Sequence, residues 1–97
     1  MDKSLFDRVM KGDDDAFERL FRSYYAPLCD YCRGIVGEAE AAEDIVSEVF
    51  TYLWKHREDI HVRVSVKAYL YSSARHGALN LLKRQAMERA HSPRLTE

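Results

Sequence analysis

The chain has 97 residues, of which 46% are hydrophobic and 32% are charged. This length allows one domain, because single domains cluster at about 100 to 150 residues, and it excludes a large two-lobed enzyme. The composition is that of a soluble globular protein, and no apolar run approaches the length of a membrane span, about 18 residues. Residues 1–4 lack an apolar signal region, so we expect a cytoplasmic protein without membrane insertion.

The net charge of −1 hides an asymmetry between two parts of the chain. Residues 1–59 carry 8 Lys or Arg against 14 Asp or Glu, a net charge of −6, whereas residues 60–97 carry 7 against 2, a net charge of +5. Such asymmetry points to a nucleic-acid or acidic-membrane contact near the C-terminal end, and to a different partner for the acidic part. The alternative is that both parts are ordinary solvated surfaces.

The spacing of apolar residues predicts an all-α protein, a compact bundle of four helices. The first helix is predicted to begin with Ser4 as its N-cap and to stop at Gly12. The acidic run Asp13–Asp15 predicts the start of a second helix that Gly37 closes. Pro27 lies inside this second helix and is expected to bend or interrupt it, because proline removes a backbone donor.

The second half of the chain predicts two more helices separated by a loop. The third helix is expected over about residues 40–56, and residues 57–64 are interpreted as a loop, because a single strand would have no partner. Ser65 is the predicted N-cap of the fourth helix. Pro93 is expected to end any continuation of that helix.

The two cysteines, Cys29 and Cys32, have the CxxC spacing of zinc and thiol-redox sites. A structural zinc ion needs four ligands, and His56 and His61 are in no recognised ligand spacing to the cysteines, so neutral core or surface cysteines are expected. Capping explains Asp13–Asp15 more simply than a bound cation does. Because the chain also lacks a Gly-rich phosphate loop and an HExxH motif, we expect neither an enzyme nor a cofactor.

Two surfaces have residues that suit a partner. On the third helix, one polar face beside Phe50 and Trp54 contains Asp44, Ser47, Glu48 and Thr51. This face suits a partner's helix, whereas the alternative is a solvated face with both aromatic rings in the core. The fourth helix and the loop before it combine cations with aromatic and small polar residues: Arg63, Lys67, Arg75, Lys83, Arg84, Tyr69, Tyr71, Ser72 and Ser73.

Cations neutralise phosphates and aromatic rings stack on unpaired bases, so this second surface favours single-stranded nucleic acid over a duplex groove. The alternative is that Tyr69 belongs to the core and that the cations only suit a helix end.

Two segments, Ala42–Trp54 (AEDIVSEVFTYLW) and Ala68–Arg84 (AYLYSSARHGALNLLKR), resemble region 2 of extracytoplasmic-function sigma factors, and Ala16–Tyr25 is similar to the start of that region. The resemblance covers about residues 5–86. It implies a small helical domain, here residues 1–88, that is not an enzyme. Such a domain joins core RNA polymerase, recognises the −10 promoter element, helps to open the duplex and holds the non-template strand.

The resemblance also implies roles for individual residues. The residues that match the segment docking on the coiled coil of the polymerase β′ subunit are Asp44, Ser47, Glu48, Thr51 and Trp54. Residues 60–66 match the loop that receives a flipped promoter base. With the cations described above, the predicted DNA-binding set is Arg63, Lys67, Tyr71, Ser72, Arg75, His76, Asn80, Lys83 and Arg84.

The chain departs from the family pattern at two residues. Tyr69 stands where the family commonly has Trp, and His76 stands where it commonly has Asn. His in place of Asn changes the hydrogen-bonding groups offered to a base edge, so the promoter sequence cannot be inferred from the family.

The module that reads the −35 element is missing from these 97 residues. Either the protein continues beyond Glu97 or this is region 2 alone, and we expect the latter. Residues 89–97 are then the beginning of the linker toward the missing module.

An anti-sigma factor is a further partner compatible with the resemblance. Two other functions are retained as alternatives: a helical protein-interaction module without DNA contact, and a redox or metal protein that depends on the CxxC motif.

Overall fold

A computed structural model describes the backbone of residues 2–60 and 65–96, and the side chains of residues 4–60 and 65–90. These described residues form four helices: α1 (Asp2–Met10), α2 (Asp14–Val36), α3 (Ala39–Lys55) and α4 (Val66–Thr96). The described residues contain no strand, so the prediction of an all-α bundle is confirmed. Among these residues, no helix has both the length and the apolarity needed to cross a membrane.

Local capping interactions explain where the helices begin and end. The Asp13 carboxylate accepts a hydrogen bond from the backbone N–H of Ala16 at 3.1 Å and pairs with Arg8 at 2.8 Å. These two interactions, in that order, hold the pKa of Asp13 below its usual value. At the other end of α2, Gly37 adopts φ +83° and its N–H donates to the carbonyl of Arg33. The predicted boundaries of α2 are therefore confirmed.

The predicted cap of α4 is also confirmed, since the Ser65 hydroxyl accepts a hydrogen bond from the N–H of Ala68 at 3.0 Å. The start predicted for α1 is wrong, because this helix begins at Asp2 and Ser4 lies inside it. The predicted third helix agrees with α3 to within about one residue at each end.

The structure does not show the interruption of α2 predicted at Pro27 or the helix end predicted at Pro93. The helix α2 is continuous through Pro27, and α4 continues past Pro93 to Thr96. Pro27 lies on the exposed side of α2, where water can bond the carbonyl that has lost its donor, so the helix continues. The same reason applies at Pro93, where the carbonyl that loses its donor belongs to the exposed residue Arg89. Residues 89–96 are thus helical in backbone.

The core lies where α2 packs against α3 and α4. Its fully buried side chains include Leu20 and Leu28 of α2, Leu53 of α3 and Leu70 of α4. The helix α1 covers this core with Leu5, Phe6 and Val9. The spacing of apolar residues along the sequence is therefore explained by the face that each helix buries.

The helices α3 and α4 approach each other closely at one glycine. A Cβ atom added at Gly77 would lie 3.0 Å from Cγ2 of Ile45, so a larger residue at Gly77 would separate the two helices. Further along, Tyr52 lies close enough to Tyr69 to contribute to its raised pKa, after the larger effect of burial. Since Ile45 is opposite Gly77 and Tyr52 is near Tyr69, α3 and α4 run antiparallel.

We expect Gly34→Ala and Gly77→Ala to have different effects on stability. Gly34 is exposed in α2 and an added Cβ would meet nothing within 4 Å, so this substitution should raise the free energy of unfolding by about 0.5 to 1 kcal/mol. Gly77→Ala should gain nothing, because contact with Ile45 offsets the better helix propensity, and Gly77→Val should cost about 1 to 3 kcal/mol. Urea denaturation checks both; an equal gain from the two alanines would contradict the close approach.

Candidate functional site

The polar face of α3 is open to solvent, as the spacing predicted. Asp44, Ser47, Glu48 and Thr51 are all exposed. Among the described residues, neither Asp44 nor Glu48 takes part in an ion pair. The Ser47 hydroxyl forms a hydrogen bond with Tyr25 of α2, so this face offers two unpaired carboxylates to a partner.

Trp54 is placed differently from the other four residues of the predicted polymerase-binding set. It is half-buried, with its ring centroid 4.8 Å from that of Phe17 in α2. The guanidinium of Arg57 lies 4.2 Å from the Trp54 ring centroid, and Arg57 Nη1 donates to the Trp54 carbonyl at 2.6 Å. Because Phe17 and Arg57 pack against this ring, Trp54 joins the end of α3 to the rest of the bundle.

The predicted DNA-binding residues of α4 are mostly exposed. Those with exposed side chains are Lys67, Ser72, Arg75, His76, Asn80, Lys83 and Arg84. Tyr71 is half-buried against Tyr31 of α2, with ring centroids 5.1 Å apart. Arg63 and the centre of the 60–66 loop lie outside the described residues.

A groove of about 900 Å³ runs between α3 and α4. One edge, the α3 rim, is formed by Asp44 and Glu48. The other edge, the α4 rim, is formed by His76, Asn80, Lys83 and Arg84. Apolar side chains such as Ile45 and Val49 of α3 and Leu81 of α4 also line the groove. Residues predicted to contact two different partners therefore line the same groove.

The antiparallel register of α3 and α4 determines which residues of the two rims lie opposite each other. With Ile45 against Gly77 and Tyr52 near Tyr69, Asp44 lies opposite the turn of α4 around Ala78, and Glu48 lies opposite the turn around Ala74. Within the described ranges, no ion pair joins the two rims. The carboxylates of the α3 rim and the cations of the α4 rim therefore do not neutralise each other through direct ion pairs.

The other predicted DNA-binding residues of α4 do not line this groove. Lys67, Ser72 and Arg75 are exposed outside it. Arg75 precedes His76 directly and so points about 100° away from it around the helix. The predicted DNA-binding set therefore divides into residues that line the groove and exposed residues of α4 that do not.

Two exposed apolar residues at the groove were not predicted from the sequence. The side chains of Tyr52 and Met87 are each 56% exposed, and both line the groove. The ring of Tyr52 stacks on His56 with centroids 4.0 Å apart. Asp44, Glu48 and Tyr52 have i, i+4, i+8 spacing, which puts all three on one face of α3. This spacing could have predicted from the sequence that Tyr52 lies beside the α3 rim.

Tyr69 belongs partly to the core and partly to the groove. Its ring centroid is 6.3 Å from that of Phe6 in α1, and its side chain is half-buried. Burial raises the pKa of Tyr69, the Ser73 hydroxyl opposes this shift, and Tyr52 adds to it. Tyr69 thus connects the core to the end of the groove that Tyr52 occupies.

The cysteines have the environment expected of neutral thiols. Cys32 is buried, and its thiol donates to the carbonyl of Ala74 at 3.7 Å between sulfur and oxygen. Burial raises the pKa of both Cys29 and Cys32, which disfavours the thiolate that metal binding and redox exchange require. In the portion described, no three His, Cys, Asp or Glu residues are grouped as metal ligands.

The sequence was compared with models of known families. The model of the family described as sigma-70 region 2 matches residues 20–88, which include most of α2, all of α3 and the first part of α4. No curated protein and no solved structure matches the chain.

We expect Arg57→Ala to expose Trp54, the only tryptophan of the chain. Loss of the guanidinium over the ring should shift the Trp54 emission to longer wavelength and lower the free energy of unfolding by about 1 kcal/mol. Arg33→Ala is the control, because Arg33 is an exposed cation whose only ion pair among the described residues is with Asp30. Unchanged emission in Arg57→Ala would show that Arg57 does not cover Trp54.

Proposed function

The chain belongs to the sigma-70 region 2 family, and we propose that it is an extracytoplasmic-function sigma factor domain that opens promoters at the −10 element. Sigma-70 region 2 acts in transcription initiation, with core RNA polymerase and promoter DNA as its general partners, and its family is not one of enzymes. The assignment to the extracytoplasmic-function group is supported by the Ala42–Trp54 and Ala68–Arg84 motifs.

The observation that carries this proposal is the pair of exposed polar surfaces within the segment that matches the family. The exposed face of α3 with Asp44, Ser47, Glu48 and Thr51 suits a cationic helical partner, because no ion pair among the described residues neutralises its carboxylates. We assign this face to the polymerase β′ coiled coil. Trp54 contacts Phe17 and Arg57, and these contacts hold the end of α3 that carries this face.

The exposed cations of α4 are assigned to the non-template strand. Lys67 and Arg75 lie beside Ser72 on a solvent-exposed stretch, and cations in such a position neutralise phosphates. The half-buried rings of Tyr69 and Tyr71 lie on the same helix and supply flat surfaces for unpaired bases. Residues 60–66 are proposed to receive a flipped base.

The energetics explain why the domain works with a partner. Separating DNA strands costs about 1 to 2 kcal/mol of stacking free energy per base step, and each base that stacks on an aromatic ring returns about 1 to 3 kcal/mol. With one or two captured bases, the chain alone should bind DNA weakly. Polymerase bound at α3 makes the DNA contact effectively intramolecular and so supplies the remaining free energy.

We expect Asp44→Asn combined with Glu48→Gln to weaken binding to core RNA polymerase about tenfold or more, because both substitutions remove a charge from the proposed interface. Binding is measured by fluorescence anisotropy of the labelled chain. The control is Asp7→Asn with Asp15→Asn, which also removes two exposed carboxylates but on α1 and α2, away from the polar face of α3 and from the α3–α4 groove. Circular dichroism verifies that both variants fold. Equal affinity of the two variants would contradict the assignment of this face.

We expect Lys67→Ala combined with Arg75→Ala to weaken binding to a labelled single-stranded oligonucleotide of about 20 nucleotides. If each cation contacts one phosphate, the slope of log affinity against log salt should fall by about 1.4. Lys11→Ala with Arg19→Ala is the control, because these exposed cations lie on α2 and the turn before it. An equal loss in both variants would indicate unspecific attraction. Polymerase binding without any DNA binding would favour a protein-interaction module.

A further inference from the structure

Two tyrosine rings meet where α2 packs against α4. The ring centroids of Tyr31 and Tyr71 are 5.1 Å apart and the ring planes are inclined at 73°, so one ring directs its edge at the face of the other. We propose that these two rings form a stacking site for one unpaired base, which makes α2 part of the nucleic-acid surface. This inference rests on the proposed function and adds Tyr31 of α2 to a DNA-binding set that otherwise lies on α4 and in the loop before it.

The geometry of the tyrosine pair leaves ring surface for a base. In an edge-to-face pair, the ring that directs its edge at the other keeps both of its faces uncovered by its partner. The rings of Tyr31 and Tyr71 are both half-buried. On the solvent side of α2, the neighbours of Tyr31 are Pro27 and Gly34, which are exposed and have no long side chain. A Cβ added at Gly34 would meet nothing within 4 Å, so a flat base has room to approach the pair.

Two cations flank Tyr71 on the same face of α4. Lys67 precedes Tyr71 by four residues and Arg75 follows it by four, so the three side chains lie along one line of the helix. Each cation is about 6 Å from Tyr71 along the helix axis. Both are exposed and, among the described residues, neither takes part in an ion pair. A nucleotide whose base stacks at the tyrosine pair thus has a cation on each side for the flanking phosphates.

The charges around the tyrosine pair favour a polyanion. The helix α4 has no carboxylate between Lys67 and Arg75. On α2, Asp30 directly precedes Tyr31, but it points about 100° away around the helix and is paired with Arg33 at 3.7 Å. The α3–α4 groove, by contrast, has two unpaired carboxylates along its α3 rim. A base with its phosphates therefore meets less repulsion at the tyrosine pair than in the groove.

The packing of α2 on α4 holds the two rings in position. Cys32, which follows Tyr31, is buried, and its thiol donates to the carbonyl of Ala74 at 3.7 Å between sulfur and oxygen. Ala74 lies one turn after Tyr71 and is also buried. Because both rings stand on helices that the core fixes, the stacking site is formed before a base arrives, and little ordering opposes binding.

The test measures binding of the 97-residue chain to a labelled single-stranded oligonucleotide of about 20 nucleotides, and to a strand of equal length that consists of abasic sites. Tyr31→Leu removes the ring but keeps an apolar side chain, and it should weaken binding to the normal strand about fivefold or more. Its affinity for the abasic strand should equal that of the wild type, because this strand has phosphates but no base to stack. Tyr31→Phe keeps the ring and should bind the normal strand within about twofold of the wild type.

The matched control is Phe21→Leu, which also exchanges a half-buried ring of α2 for leucine. The ring of Phe21 packs on Phe50 with centroids 5.0 Å apart, so it lies on the side of α2 that faces α3. This control should change the affinity for the normal strand less than about twofold.

A second measurement needs no variant. Circular dichroism verifies folding, and if Tyr31→Leu does not fold, the wild-type chain is irradiated with an oligonucleotide that contains 5-iodouracil, a base that cross-links to aromatic side chains in contact with it. We expect Tyr31 among the cross-linked residues.

Failure of this inference can be told apart from failure of the proposed function. Equal affinity of the wild type and Tyr31→Leu for the normal strand would overturn the inference. So would an equal loss on the abasic strand, an equal loss in Phe21→Leu, or cross-links that do not include Tyr31. In each case, DNA binding that depends on Lys67 and Arg75 would leave the proposed function standing. Absence of DNA binding by every variant, with or without polymerase, would overturn both.

Discussion

The close approach of α3 and α4 at Gly77 is the constraint on which the functional surface depends. A side chain at this position would meet Ile45 at 3.0 Å, so only a glycine lets the two helices pack at this distance without rearrangement. The same contact sets the antiparallel register that puts Asp44 opposite the turn around Ala78 and Glu48 opposite the turn around Ala74. The groove and its two charged rims are therefore consequences of packing in the interior.

The helices themselves were largely predictable from the sequence because they depend on local interactions. The Asp13 and Ser65 side chains cap the first turns of α2 and α4, and Gly37 adopts the left-handed conformation that closes α2. The effect of proline was not predictable in the same way. A proline leaves the carbonyl four residues earlier without its helical hydrogen bond. Whether Pro27 or Pro93 ends a helix depends on whether this carbonyl lies on an exposed face, where water can bond it.

The site was predictable only as far as single helix faces. Spacing placed Asp44 and Glu48 on one face of α3, and that face is exposed. Spacing could not reveal that Arg57, beyond the end of α3, lies over Trp54 at 4.2 Å. The helical periodicity that predicts which residues share a face does not extend to a residue in a loop. It also could not reveal that α3 and α4 present their charged residues to a common groove, since this depends on which helices are neighbours.

The charge pattern changes its meaning once the fold is known. Along the sequence, an acidic part with a net charge of −6 is followed by a basic part with a net charge of +5, which suggests two separate surfaces for two partners. In the folded chain, carboxylates and cations from these parts line one groove, so neither partner binds in a field of a single sign. A domain that bound DNA strongly alone would be held at many sites without polymerase, because phosphate contacts are largely independent of sequence. Mixed charge in one groove weakens such sequence-independent attraction.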